Sequence, residues 1–521
     1  MIMEVTTSNL ATSLACIFIL AWVWRTINWL WLKPRRLEKC LTTQGFRGHP
    51  YRVLFGDTKE IAEMLKKATF KPIQPFSNNY VPRILSFFCQ TIKKYGERSF
   101  VWNGPIPTVI ITKPEDIREI LMKMYDFQKT ISHPLVKKLT NGLTRLEGHK
   151  WAQRKKLLNP AFHVHKLKHM VAAFDASCME MIQEWEMKIK ETGSRSCEIE
   201  VWSYLHNLSA DAISRAAFGS SFQEGKRVFE LLREHISITV QATQSVYIPG
   251  SRFLPTKTNR RATKIIKEME SLLKEMIENR KREMKIGEKD KDLLGLLIKS
   301  SIEGIKNEQT LKLGMKEIIE ECKMFYLAGQ DTTSSLLLWA LVLLSKHQYW
   351  QDQARQEILA TFGHNTPNHD GLNQLKKVNM IIYEVLRLYP PVPLLTRKVI
   401  HDIKVGDVVL PAGVQVKLLI SLVQHSEKYW GKDAQQFNPE RFSQGILKAT
   451  EGSMCFFAFG WGPRTCIGSN FAMMEVKMAL ALILQRFCFQ LSPSYLHSPT
   501  TNRGTLRPQR DGDAKLILRP I

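Results

Sequence analysis

The longest apolar run comes first. From Asn9 to Leu32 (NLATSLACIFILAWVWRTINWLWL) a single charge, Arg25, interrupts apolar and small residues. That is about the length a helix needs to cross a bilayer, and Arg25 stands close enough to its end to snorkel. The pattern then changes. Arg98–Thr112 (RSFVWNGPIPTVIIT) holds two short β-rich runs split by a Gly-Pro turn. KPEDIREILM follows, with an early proline, acids in the first turn and helical spacing of apolar residues, which predicts a helix. From Trp151 to about Leu388 the apolar period is mostly near 3.6, broken around Pro249–Pro255 and Gly363–His369. A second β-rich patch spans Val399–Ile420, and Asn470–Phe487 returns to the helical period. Lys257–Lys291 carries many charges of both signs and reads as a solvated helix face plus a loop. The predicted fold class is mainly α with small β-sheets, preceded by one N-terminal transmembrane helix.

The flanks of the first run orient it. Trp22, Trp24, Trp29 and Trp31 suit an interfacial belt. Lys33, Arg35, Arg36 and Lys39 follow it, whereas Glu4 is the only charged side chain ahead of it. The positive-inside rule then puts the tip in the lumen and the body in the cytosol. A cleaved signal peptide is the rival reading, but a basic n-region and a small-x-small cleavage site are both missing. The expected division is an anchor over residues 1–32, a basic Pro/Gly hinge over 33–50 and one large domain over 51–521.

Composition narrows the partners. The 521 residues far exceed what one small core needs, and 44% hydrophobic with 24% charged residues is a globular profile. Lys and Arg number 74 against 49 Asp and Glu, a net charge of +25. Such a balance favours nucleic acid, an anionic membrane surface or an acidic protein. No zinc-finger spacing or RNA-binding aromatic signature occurs, so no nucleic-acid partner is expected. The nine cysteines are scattered, odd in number and free of CxxC, which supports neither a disulfide framework nor a zinc site. A cytosolic body would leave the sequon at Asn207–Ser209 unused.

Four local features resist a purely structural explanation. In FAFGWGPRTCIG, Gly460, Gly462 and Gly468 surround Cys466 just ahead of a helix. The helix N-terminus and Arg464 would favour a thiolate there, as nucleophile or metal ligand; an inert buried cysteine is the alternative. In KMFYLAGQDTTSSLLLWALVLL, Gly329 and five polar residues from Asp331 to Ser335 interrupt an apolar helix. Back-bonding hydroxyls could bend or open it and leave a groove for a small ligand; a polar face meeting a loop is the alternative. Glu384 and Arg387 are three apart on a helix and can pair, by default at the surface. FNPERF and WAQRKK say little alone.

Together the four resemble the cytochrome P-450 haem-thiolate monooxygenases. Phe459, Gly462, Arg464, Cys466 and Gly468 match F-x-x-G-x-R-x-C-x-G; Ala328, Gly329, Asp331 and Thr332 match A-G-x-D/E-T; Glu384 and Arg387 match ExxR, and Arg441 sits in the Pro-Glu-Arg segment. The likeness runs from the anchor to about Pro499. NWLWLKPRRLEK and QGFRGHPYRVLFGDTKE are further similar to a plant group that includes secologanin synthase and oxidases of triterpenoid sapogenins and gibberellins. By this resemblance Cys466 would be the axial thiolate on the iron of haem b, and Phe459 would pack near the sulfur. Arg464, Arg397, Trp151 and Lys155 would hold the propionates. Ala328 and Gly329 would flank bound O2, and Asp331 and Thr332 would carry protons to it. Glu384, Arg387 and Arg441 would lock the meander beneath the haem.

The resemblance also implies electrons from NADPH through a membrane-bound NADPH–cytochrome P-450 reductase. It implies a small hydrophobic terpenoid substrate and single-pass residence in the endoplasmic reticulum membrane. Two departures stand out. The family's Trp-x-x-x-Arg ends here in Lys155, with Arg154 one position early, so either could face a propionate. The tail TTNRGTLRPQRDGDAKLILRPI is more polar than the family's apolar hairpin. A reductase-independent isomerase or lyase would lack the Asp-Thr pair, and a non-enzymatic haem binder would not need it. By the same likeness, Lys129–Asn141, Gln244–Arg252 and Val392–Thr396 would line the substrate pocket.

Overall fold

The computed structural model describes residues 2–521 except 131–133, 140, 221, 244–249, 287–291, 307–311 and 503. Its axis is the helix Met315–Lys346, buried along most of its length. A helix apolar all round belongs in a core, and this one forms the core with Leu336–Leu344 wholly enclosed. Glu317 fixes its start by accepting the Gly314 backbone N–H at 2.9 Å. Val201–Ile213 packs along it, and Ser469–Arg486 joins it to Val164–Glu191. Among the described residues, two helices are long and apolar enough to span a membrane, Thr12–Thr42 and Met315–Lys346. The second is enclosed by protein, while the apolar stretch of the first is fully exposed, which suggests membrane anchoring.

The basic segment Lys33–Thr42 is itself helical, with Pro34 in its first turn and Pro34, Leu37 and Leu41 buried. Tyr51 ties the preceding turn to the body by donating to Leu30 O at 2.8 Å.

The six-stranded sheet runs Arg47–Gly48, Ser99–Asn103, Ile106–Ile111, Gln415–Leu418, Leu395–Val399, Phe127–Lys129. The two β-rich patches of the sequence therefore meet: Ile106–Ile111 pairs in parallel with Gln415–Leu418. At the far edge Lys129 stands opposite Arg397. A three-stranded sheet joins Phe487–Leu491, Lys515–Pro520 and Cys197–Glu200. The last strand lies inside the stretch read as helical. Its four residues are too few for a period, and its pairing with the C-terminal strand decides its state.

The polar tail still makes a hairpin, Pro499–Thr500 against Arg507–Pro508. Its anchor is backbone: Leu506 O accepts Trp339 Nε1 at 3.0 Å and the Ser335 hydroxyl. Side-chain polarity is thus compatible with docking, because main-chain groups face the core helix.

Candidate functional site

The loop Phe457–Cys466 is set by backbone constraints. Gly462 has φ +71°, and a Cβ there would stand 2.8 Å from Met122 Sδ and 3.1 Å from Leu121 O. Only glycine fits that conformation and that approach. Pro463 follows in a short 3-10 turn, Gly462–Arg464. The Cys466 N–H then closes the loop on Phe459 O at 2.9 Å. The helix begins at Ser469, so Cys466 lies just before its N-terminus.

Burial pushes the Cys466 thiol up, against the Gly468 N–H and the charge of Lys129. This corrects the expectation that helix end and Arg464 would by themselves yield a thiolate. Arg464 is engaged elsewhere, by the Glu147 carboxylate and by Leu146 O at 2.8 Å. Coordination to a metal would deprotonate such a thiol.

The sulfur opens onto a cavity of about 300 Å³ between the cysteine loop, the central helix and the sheet edge. Of the residues singled out by sequence, Cys466, Arg464, Phe459, Arg397, Trp151, Lys155, Ala328, Gly329 and Thr332 all line it; Asp331 does not. One end is strongly cationic. The Trp151 indole carries the Arg464 guanidinium 4.7 Å and the Lys155 ammonium 5.2 Å from its ring centroid. Arg397 is held by Thr396 O at 2.9 Å and its pKa is lowered by burial and by Arg464 to about 10. Lys129, its cross-strand partner, is pushed down to about 7 by burial and by Arg397 and Arg464.

Arg154 and Lys155 point in different directions. Arg154 is buried against Glu321 and Glu317, the latter at 3.0 Å, on the first turns of the central helix. Lys155 faces the cavity and donates to Pro463 O.

In the central helix the hydroxyls do bond back, Thr332 to Ala328 O at 2.6 Å and Ser334 to Gln330 O at 2.7 Å. The helix nevertheless stays α-helical throughout. Gly329 has a packing reason as well: a Cβ there would come within 2.8 Å of Ile213 on the crossing helix. Asp331 turns away from the cavity and its Oδ1 meets His206 Nε2 at 2.9 Å.

Glu384 and Arg387 are not a surface pair. Both are wholly buried and joined by two bonds of 2.7 Å. Arg441 lies 3.8 Å from Glu384 and binds Asp433 at 2.7 Å.

Of the loops expected around the pocket, Lys129, Val392 and Leu395 line the cavity. Residues 131–133, 140 and 244–249 of those loops lie outside the described residues. Glu147 and His206 escaped the sequence reading, and Lys129 entered it only as the edge of an expected pocket loop, not as a cation beside Arg397. None sits in a recognisable spacing; a lone histidine in VWSYLHNLSADAI was the only signal for His206.

A family model described as Cytochrome P450 matches residues 78–516. Echinocystic acid 23-monooxygenase of Saponaria officinalis is 48% identical over 96% of this chain and 97% of its own. Cytochrome P450 CYP72A219 of Panax ginseng is 48% identical over 100% of both, and Cytochrome P450 72A397 of Kalopanax septemlobus is 50% identical over 96% of both. A cysteine loop opening onto a cationic cavity under a Thr-bearing helix, matched over these lengths, has one consistent description: the chain belongs to the cytochrome P-450 family, as a haem-thiolate monooxygenase fed by a redox partner.

Proposed function

We propose that this chain hydroxylates or further oxidises a terpenoid-type metabolite, with haem b bound through Cys466 and electrons drawn from NADPH by way of cytochrome P-450 reductase. The observation that carries the cofactor assignment is an imbalance of charge. Lys129, Arg397, Arg464 and Lys155 gather at one end of the cavity, with Glu147 as the only carboxylate in their network among the described residues. Arg464 Nη1 is buried without a partner. A cation excess with a buried, orphaned donor calls for an anion, and the two propionates of haem would supply negative charge there.

When bound, haem supplies the oxygen-activating chemistry. The chain's part is to hold, enclose and protonate. Trp151, Lys155, Arg397, Arg464 and Lys129 would hold the carboxylates, and Phe459 shields the sulfur side. Ala328 and Gly329 would leave backbone room for O2. Thr332 donates its hydroxyl proton to Ala328 O, so its lone pairs remain to accept a hydrogen bond within the cavity. Asp331 is the adjacent carboxylate that would pass a proton on. Apolar Val392, Leu395 and Leu386 suit a terpene skeleton, and one relative is named for a triterpenoid acid. Residues 1–32 would anchor the protein once in the endoplasmic reticulum membrane, 33–50 would connect, and 51–521 would stand in the cytosol.

Microsomes containing this chain and a plant reductase, offered triterpenoids, iridoid glucosides and gibberellins, should add oxygen to one class only when NADPH is present. Conversion without NADPH would instead establish an isomerase or lyase. The charge argument has its own check. Lys129→Met removes a donor that an adjacent carboxylate would keep charged, an interaction on the order of 1.5–3 kcal/mol, and should weaken haem retention roughly tenfold or more. Haem absorbance per mole of purified protein reads this directly. Full retention would mean that Lys129 holds no propionate.

A further inference from the structure

Asp331 is the member of the expected proton path that does not face the cavity. Its carboxylate Oδ1 lies 2.9 Å from Nε2 of His206, on the helix Val201–Ile213 that crosses the central helix. The other ring nitrogen, Nδ1, lies 2.8 Å from Arg233 Nη2 and 3.0 Å from Gln330 Nε2. The amide of Gln330 is oriented by a second bond, Nε2 to His206 O at 3.2 Å.

These contacts fix the tautomer. A guanidinium has no acceptor, so the nitrogen it touches must accept. Nδ1 is therefore unprotonated, and the ring proton sits on Nε2 and is donated to Asp331. Burial lowers the imidazole's pKa against the pull of Asp331, in keeping with a neutral ring. Both His206 and Asp331 are buried, so each is the other's substitute for water.

We propose that His206, locked by Arg233 as the Nε2–H tautomer, is the positioning residue that holds the Asp331 carboxylate beside, but outside, the cavity. It thereby places a proton carrier one residue from Thr332 without admitting a free charge to the apolar site. The proposal rests on the assignment of Asp331 to proton delivery.

The test uses the full chain in microsomes with its reductase. His206→Asn puts an acceptor near the Nδ1 position and removes the donor to Asp331. His206→Gln puts an N–H near the Nε2 position and keeps it. In His206→Asn, product per NADPH should fall about fivefold, the lost electrons appearing as hydrogen peroxide, with substrate KM unchanged. His206→Gln should recover most of that loss. Independently of turnover, the Tm decreases of His206→Asn and Asp331→Asn should fail to add in the double variant, which should melt near the lower single. Parent-like coupling in His206→Asn, with Asp331→Asn impaired, would overturn the role of His206 alone. Parent-like coupling in Asp331→Asn would overturn both the proton-carrier assignment and this proposal. Additive Tm decreases would deny the contact itself.

Discussion

Cys466→Ser should abolish NADPH-dependent product formation and leave the fold intact. The loss expected is about a thousandfold or more, equivalent to ~4 kcal/mol in the barrier. The reason is specific to sulfur. A serine hydroxyl would occupy the same place before Ser469, could accept the same Gly468 N–H, and would keep the Cys466 N–H to Phe459 O closure. What it cannot supply is a soft anionic ligand that pushes electron density onto haem iron. Folding is protected because the side chain faces the cavity and leaves packed core unchanged. Mass spectrometry of products, with thermal denaturation as the folding control, separates the two effects. Turnover at more than a hundredth of the parent rate, in a variant that melts like the parent, would remove Cys466 from the proposed site.

What the sequence disclosed depended on how local each feature was. The cysteine loop is legible because its demands are carried within ten residues: Gly462 at φ +71° and the closure of Cys466 onto Phe459. The central helix is legible by its length and apolarity, and the cavity lies against Ala328, Gly329 and Thr332 while the helix stays α-helical there. Hydroxyl back-bonds at Thr332 and Ser334 add to the ladder without displacing it. Positions decided by distant partners were not legible. Lys129 acquires meaning only from its register opposite Arg397, across a sheet whose strands are far apart in the chain. Arg154 and Lys155 are neighbours in sequence, yet a helix turns them about 100° apart. One meets Glu321 and the other the cavity. Default rules also misled at the ExxR pair, where a three-residue spacing gives proximity but says nothing of burial.

That pair carries the second large effect. Glu384→Ala should destabilise the chain by ~3–5 kcal/mol, the cost of leaving a buried charge without its partner. Set against the ~5–15 kcal/mol by which domains are ordinarily stable, this should sharply reduce the yield of folded protein. Arg387 does more than pair. It donates to Gln424 O and Ala434 O at 2.8 Å each and to Gln436 O at 3.2 Å, and Glu384 accepts Asn438 N–H at 2.9 Å. The guanidinium therefore fastens the segment 424–438 to the helix Lys376–Leu388 through main-chain carbonyls. Arg387→Lys should fail nearly as badly as Glu384→Ala, because one ammonium cannot span carbonyls that a planar fork reaches. The double replacement by methionine distinguishes charge from network. An isolated buried ion pair can often be exchanged for apolar side chains at little cost. Here three carbonyls and one N–H would be left dry, at about 1–3 kcal/mol each, so the double variant should stay unfolded in denaturant titrations where the parent is native. Recovery of parent stability would show that only the lone charge was harmful, and that the carbonyl contacts contribute little.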